Sequence, residues 1–208
     1  NKNALKSLLL VNEKLKNFKK SKEIAQALEE LNIDVSVEKV YFDTLIILND
    51  PILSYEKRTE LLFEIFKENK IIQRIFATFL IQSNREFFFS NIDMFDCEKL
   101  IDILWYQKKE DIDFDKIKNN QFLNELYSAK NYINSVSNSS DFDLNILILI
   151  NKYQKDIKTN LTFEFICNSC KHSSPFYEAR CPNCHSILSL EVKHHLTKAY
   201  ELSNQSLQ

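Results

Sequence analysis

No glycine occurs anywhere in the 208 residues of this chain, and that absence limits its fold more than any feature the sequence contains. Phosphate-cradling loops, dinucleotide fingerprints and nucleophile elbows all depend on a residue without Cβ, so those motifs are excluded. With 3 prolines, the chain also lacks the punctuation that short strands and tight turns require, whereas helices tolerate such a composition. The bulk is therefore expected to be α-helical. An apolar content of 44% suffices to bury a core, and a net charge of −2 offers no general basic field for nucleic acid.

Apolar residues recur at helical spacing through most of the first 156 positions. Leu8, Val11, Leu15 and Phe18 mark one amphipathic face, and Ile24, Ala25, Leu28 and Leu31 a second. Val40 to Leu48 continues the pattern until Asn49-Asp50-Pro51, where Asp50 is expected to cap and Pro51 to open the next helix. Leu61, Leu62, Ile65 and Phe66 follow, and then the clearest stripe, Ile71, Ile72, Ile75, Phe76, Phe79 and Leu80. Two further helices are read from Cys97 to Trp105 and from Phe122 to Ile133. Ser140-Asp141 can cap a last helix through Leu144 to Tyr153, although Ile146 to Ile150 also fits a buried strand. About eight helices joined by short polar turns predict a helical-hairpin array, tetratricopeptide-like, or a plain bundle, over residues 1–158. The longest apolar run, Ile146 to Ile150, is far short of a membrane span.

From Leu161 the period changes to two, with Phe163 and Phe165 alternating against Thr162 and Glu164, and the strand leads into CNSC-KHSSPFYEAR-CPNC. Two CxxC pairs ten residues apart let the sulfurs of Cys167, Cys170, Cys181 and Cys184 converge on one metal ion, with Pro182 stiffening the second turn. Zinc is the expected ion and iron the alternative. Four thiolates close the coordination shell, which predicts a structural ion and no enzyme activity. Lys171, Arg180 and His185 are near enough in sequence to offset the −2 charge of such a centre. Paired disulfides, or ligation by His172, His185, His194 or His195, fit the spacing less well. Lys171, Arg180, Lys193 and Lys198 are matched by Glu164, Glu178, Glu191 and Glu201, so residues 159–208, a knuckle domain with a short tail, are not expected to bind nucleic acid. Cys97 shares its stripe with Leu100 and Leu104 and reads as a small buried hydrophobe.

A strand entering CxxC, ten residues, CPxC and a second strand, all after a helical array, resembles the rubredoxin-like knuckle that ends the LapB (YciM) family of lipopolysaccharide assembly proteins. The resemblance covers Phe163 to Val192, with Lys171 where the family has glycine and Tyr177 or Ala179 where it has tryptophan. It implies an N-terminal membrane anchor, tetratricopeptide repeats, and a non-catalytic adaptor at the cytoplasmic side of the inner membrane that works with the protease FtsH on a client's turnover. It also implies that Cys167, Cys170, Cys181 and Cys184 are the ligands. A composition rich in Lys, Asn, Ile and Phe suggests an AT-rich genome such as those of the Campylobacter group, where flagellar stator chaperones of the FlgX type are a second counterpart.

The partner expected on these grounds is a protein client, a membrane protein, with the knuckle buttressing the last helix. An anchor upstream of Asn1 would account for the lysines at 2, 6, 14, 16, 19, 20 and 22, which an ordinary solvated face explains equally well. The competing functions are a rubredoxin-like electron carrier and a zinc-ribbon nucleic-acid binder. Phe87, Phe88 and Phe89 cannot share one core stripe, which makes them candidate partner-binding residues unless all three fill gaps between helices.

Overall fold

The computed structural model describes residues 1–154 and 158–198. It is mainly helical, with a small three-stranded antiparallel sheet and a cysteine cluster towards the C-terminal end. The tail expected after the second long strand lies outside the described residues. By packing, the chain forms two compact units. One comprises Asn1–Phe88 with Glu178–Ser189, and the other comprises Phe89–Tyr177 with the strand that begins at Leu190.

The first unit holds helices α1 (Lys2–Lys14), α2 (Phe18–Glu29), α3 (Ser36–Asn49), α4 (Tyr55–Glu68) and α5 (Gln73–Ser83), each packed on the next, and most of α6 (Arg85–Ser90). A 3₁₀ turn, Lys70–Ile72, leads into α5, so Ile71 is exposed while Ile72, Phe76 and Leu80 are buried. Leu9, Ile24, Ala25, Leu28, Tyr41 and Phe42 form one core cluster. Two expectations fail here. Leu8, Val11 and Leu15 do not face the core, which is reached from α1 by Leu5 and Leu9, and Phe18 belongs to α2. The cap of α4 is Ser54, whose Oγ accepts from the Lys57 amide at 3.2 Å, because Asp50 is occupied in a turn with the Ile52 amide at 2.9 Å.

Helices end here without glycine. After α1, the Lys16 amide donates to the Glu13 carbonyl at 2.9 Å and the Asn17 amide to the Asn12 carbonyl at 2.9 Å, the paired bonds of a Schellman ending. Lys16 takes the left-handed position at φ 58°. Asn32 after α2 and Asn131 after α9 repeat the arrangement at φ 58° and 59°.

In the second unit the expected long helices of the middle region are broken. Short 3₁₀ turns (Ile92–Met94, Glu98–Leu100, Lys109–Asp111) alternate with α7 (Ile101–Trp105) and α8 (Phe114–Ile117) before α9 (Gln121–Ala129) and α10 (Phe142–Tyr153). Asp113 and Asn120 accept from the amides of Lys116 and Leu123, starting a new helix every few residues in place of one continuous one. Ile133 falls beyond α9, whose buried face is Leu123, Leu126, Tyr127 and Ala129. Six α-helices of ten residues or more are found among the described residues, not eight. The Asp141 cap of α10 is as expected, its Oδ1 accepting from the Leu144 amide at 2.9 Å, and Ile146–Ile150 are helical. Strands β1 (Thr159–Cys167), β2 (Ser173–Ser174) and β3 (Leu190–Lys198) form a sheet in the order β2-β1-β3. The alternation read from sequence holds in part: Leu161 and Phe165 are buried and Thr162 is exposed, while Phe163 and Glu164 are both half-buried. Phe165 pairs with Val192 on one side and Ser174 on the other.

Candidate metal centre

β1 delivers Cys167 at its last residue, and the chain then turns at once. The Cys167 carbonyl accepts from the Lys171 amide at 2.8 Å, and the Cys167 amide donates to the His172 carbonyl at 2.9 Å. The second CxxC repeats this loop. The Cys181 carbonyl accepts from the His185 amide and the Cys181 amide donates to the Ser186 carbonyl, both at 2.9 Å. Lys171 and His185 each adopt φ 62°, the left-handed conformation that glycine takes without cost.

These turns bring the four sulfurs together, all within 4.8 Å of one another. Around a metal with bonds of about 2.3 Å, tetrahedrally placed sulfurs are about 3.8 Å apart, so the set can close on one ion by small side-chain shifts. The first cysteine of each pair, Cys167 and Cys181, is fully buried, Cys170 is partly covered and Cys184 is exposed. Cys184 Sγ lies 3.3 Å from Ser186 Oγ, a hydroxyl placed to donate to a thiolate. No disulfide joins any of the five cysteines. Among the described residues, no other group of three or more His, Cys, Asp or Glu side chains converges in this way.

Of the three cations near the cysteines in sequence, one is engaged elsewhere. Lys171 and His185 are exposed beside their own turns. Arg180 is instead committed to Glu13 of α1, donating from Nε at 2.8 Å and from Nη2 at 2.6 Å to the same carboxylate oxygen, while Nη1 reaches the His185 carbonyl at 2.5 Å. Two of the four histidines, His194 and His195, lie against carboxylates. His194 Nε2 is 3.0 Å from Asp141 Oδ2, which ties β3 to the cap of α10. His195 Nε2 is 3.0 Å from Glu164 Oε1.

Sequence reasoning missed how deeply the second turn enters the helical core. Ile187 is only 7% exposed and belongs to the cluster of Leu9, Leu28 and Phe42. A cleft of about 660 Å³ lies beside this turn, walled by Leu10, Val11, Tyr41, Ala179 and Pro182, but the Arg180 and Glu13 groups that line it are spent on each other.

The aromatic triplet offers little surface. Phe88 and Phe89 are buried, and Phe87 is half-buried with its ring edge-on to Phe63 at 5.2 Å. A six-residue helix between two bends is not restricted to one buried stripe, so adjacent aromatics can all find cover. Cys97 is buried too, and burial pushes its thiol up to about 12, reinforced by Asp96 and Asp93, so it is uncharged at pH 7 and a poor nucleophile. No protein-family model matches the chain, and comparison with curated proteins finds no significant relative. No helix among the described residues is long and apolar enough to cross a membrane.

Proposed function

We propose that the protein is a non-catalytic adaptor or chaperone whose helical hairpins bind a protein client, and whose knuckle holds one structural zinc ion. The observation that carries this reading is the place of the second cysteine turn, with Ile187 inside the helical core and Arg180 clamped to Glu13. An ion closed in by four thiolates at such a turn acts on helix packing and leaves no coordination position for a substrate. The succession α1 to α5, each packed on the next, supports a tetratricopeptide-like array, the architecture that client-binding scaffolds use. With the resemblance to the LapB family, the reading extends to the cytoplasmic side of the inner membrane, an anchor upstream of this segment and a membrane-protein client. Control of that client would run through an FtsH-type protease, or would protect a flagellar stator as FlgX-type chaperones do.

Deleting the gene, or replacing it with Cys181→Ser, should change the half-life of one membrane protein, followed by pulse-chase with quantitative proteomics. Crosslinking in native membranes should recover that same protein. If no membrane protein changes in abundance or half-life, the adaptor reading is wrong. Elemental analysis should find one zinc per chain. A red, iron-loaded protein with a reversible redox couple would transfer the assignment to an electron carrier.

A further inference from the structure

We infer that the outer face of α1, with the two loops at its C-terminal end, is a docking surface for an anionic lipid bilayer. The argument starts from apolar side chains that nothing covers. Leu8, Val11 and Leu15 recur at i, i+3 and i+7 on α1 and are 46%, 52% and 72% exposed. Ile52, in the loop between α3 and α4, is 90% exposed. Residues of both loops, Lys16 to Lys19 and Asn49 to Ile52, line one cleft of about 340 Å³, so the loop that directly follows Leu15 lies beside Ile52 on one surface.

The charge around these tips is mainly basic, and the one carboxylate lining the cleft, Asp50, accepts from the Ile52 amide at 2.9 Å. Glu13 is the sole acidic residue among the first 22, and Arg180 holds it. Lys20 and Lys22 are paired with Glu23 and Asp43. Among the described residues, Lys2, Lys6, Lys14, Lys16 and Lys19 have no carboxylate partner. Exposed apolar tips beside uncompensated lysines match the two-part chemistry of a bilayer with anionic headgroups, in which the tips enter the acyl boundary and the ammonium groups meet phosphate. A second copy of the chain fits less well, since a two-fold pairing of α1 would bring like-charged lysines together. Nucleic acid would use the lysines but leave Leu15 and Ile52 in water. The inference does not depend on the adaptor reading, because pure lipid tests it without any client.

The experiment is flotation of the full chain with vesicles of phosphatidylcholine alone and of phosphatidylcholine mixed with phosphatidylglycerol. Binding is expected to the mixed vesicles only, weakened by salt. A lysine near an anionic surface contributes about fivefold, so Lys16→Glu with Lys19→Glu should lower the apparent affinity by at least about tenfold. Leu15→Asp with Ile52→Asp should do the same, with helical circular dichroism and melting temperature unchanged because all four side chains are exposed. Absence of binding, equal binding to both vesicle types, or double variants that bind like the parent would each overturn the inference. So would a dimer in solution that Leu8→Asp with Val11→Asp converts to monomer, since the face would then belong to a second copy.

Discussion

The two cysteine turns are the same device in sequence and in backbone, yet different parts of the protein hold them. Each is a CxxC closed by a residue at φ 62° and by the same pair of amide bonds. Six residues after its first cysteine, however, the first turn has exposed Ser173 on the two-residue strand β2, whereas the second has Ile187 in the core of α1, α2 and α3. One residue before the first cysteine, the first turn has Ile166 and the second has Arg180 clamped to Glu13. The CxxC spacing therefore governs how sulfur is presented. The flanking residues decide how much of the fold each turn carries.

The sharpest way to break this comparison is to remove the ion. Zinc-binding free energies of about 10 kcal/mol or more are available to couple to folding, so chelation should have the largest effect of all. The first turn places no residue in the helical core cluster that holds Ile187, so amide protection at Ser173 and Ser174 should fall furthest in hydrogen exchange, while Ser186 to Leu188 keep part of theirs. Equal loss at both turns would show that Ile187 does not anchor the second. Next in size, Ile187→Ala should cost about 2–4 kcal/mol in denaturant unfolding, against less than about 0.5 kcal/mol for Ser173→Ala at the equivalent position. Glu13→Gln leaves Arg180 mostly covered without its counter-charge and should cost about 1–3 kcal/mol. Arg180→Lys should recover only part of the clamp, because an ammonium cannot reproduce the guanidinium fork.

The cysteine set, the strand entering it and the Asp141 cap were legible in the sequence because each depends on residues close together along the chain. The clamp was not, since Glu13 and Arg180 are 167 positions apart and no periodicity links them. The outer face of α1 was misread for a related reason. Apolar residues at 5, 8, 9, 10 and 11 leave two possible stripes, and only packing against α2 and α3 selects Leu5 and Leu9 over Leu8 and Val11. In the middle region, the apolar spacing from Cys97 to Trp105 was real, but the stretch divides into a 3₁₀ turn and the five-residue α7, and the Asp113 and Asn120 caps start separate helices after it. Absence of glycine correctly signalled helices. It gave no warning that Lys16, Asn32, Asn131, Lys171, His185 and Leu188 would occupy left-handed backbone anyway.

That strain gives a smaller test in which the two turns should behave alike. Lys171 and His185 are both exposed and both at φ 62°, so their Cβ atoms meet the same steric penalty whatever surrounds the turn. Glycine relieves the clash, which outweighs the entropy it adds to the unfolded chain, for a net gain of about 0.5–1 kcal/mol. Lys171→Gly and His185→Gly should therefore raise stability by similar amounts. A clear inequality would mean that one side chain makes a contact in solution beyond its backbone role.

The smallest expected effect separates the turns again, through pH. Glu164 on β1 accepts from Ser173 Oγ at 2.7 Å and lies 3.0 Å from His195 Nε2, and these bonds, Ser173 first, hold its carboxyl below the usual range. A carboxylate lowered in the folded state contributes fully above the unfolded value of about 4.3 and loses that contribution as pH falls through the folded value. Acid should therefore loosen β2 from β1 below about pH 4, and Glu164→Gln should remove that step. Because acid also protonates the thiolates, the informative quantity is the difference between parent and variant, both of which lose the ion in the same way. Followed by NMR, the Ser173 and Ser174 amides should show the extra transition in the parent alone, while Ser186 and Ile187 titrate identically in both. A matching difference at Ile187 would mean that acid reaches the second turn through Glu164 as well, and that the two turns are not independently supported.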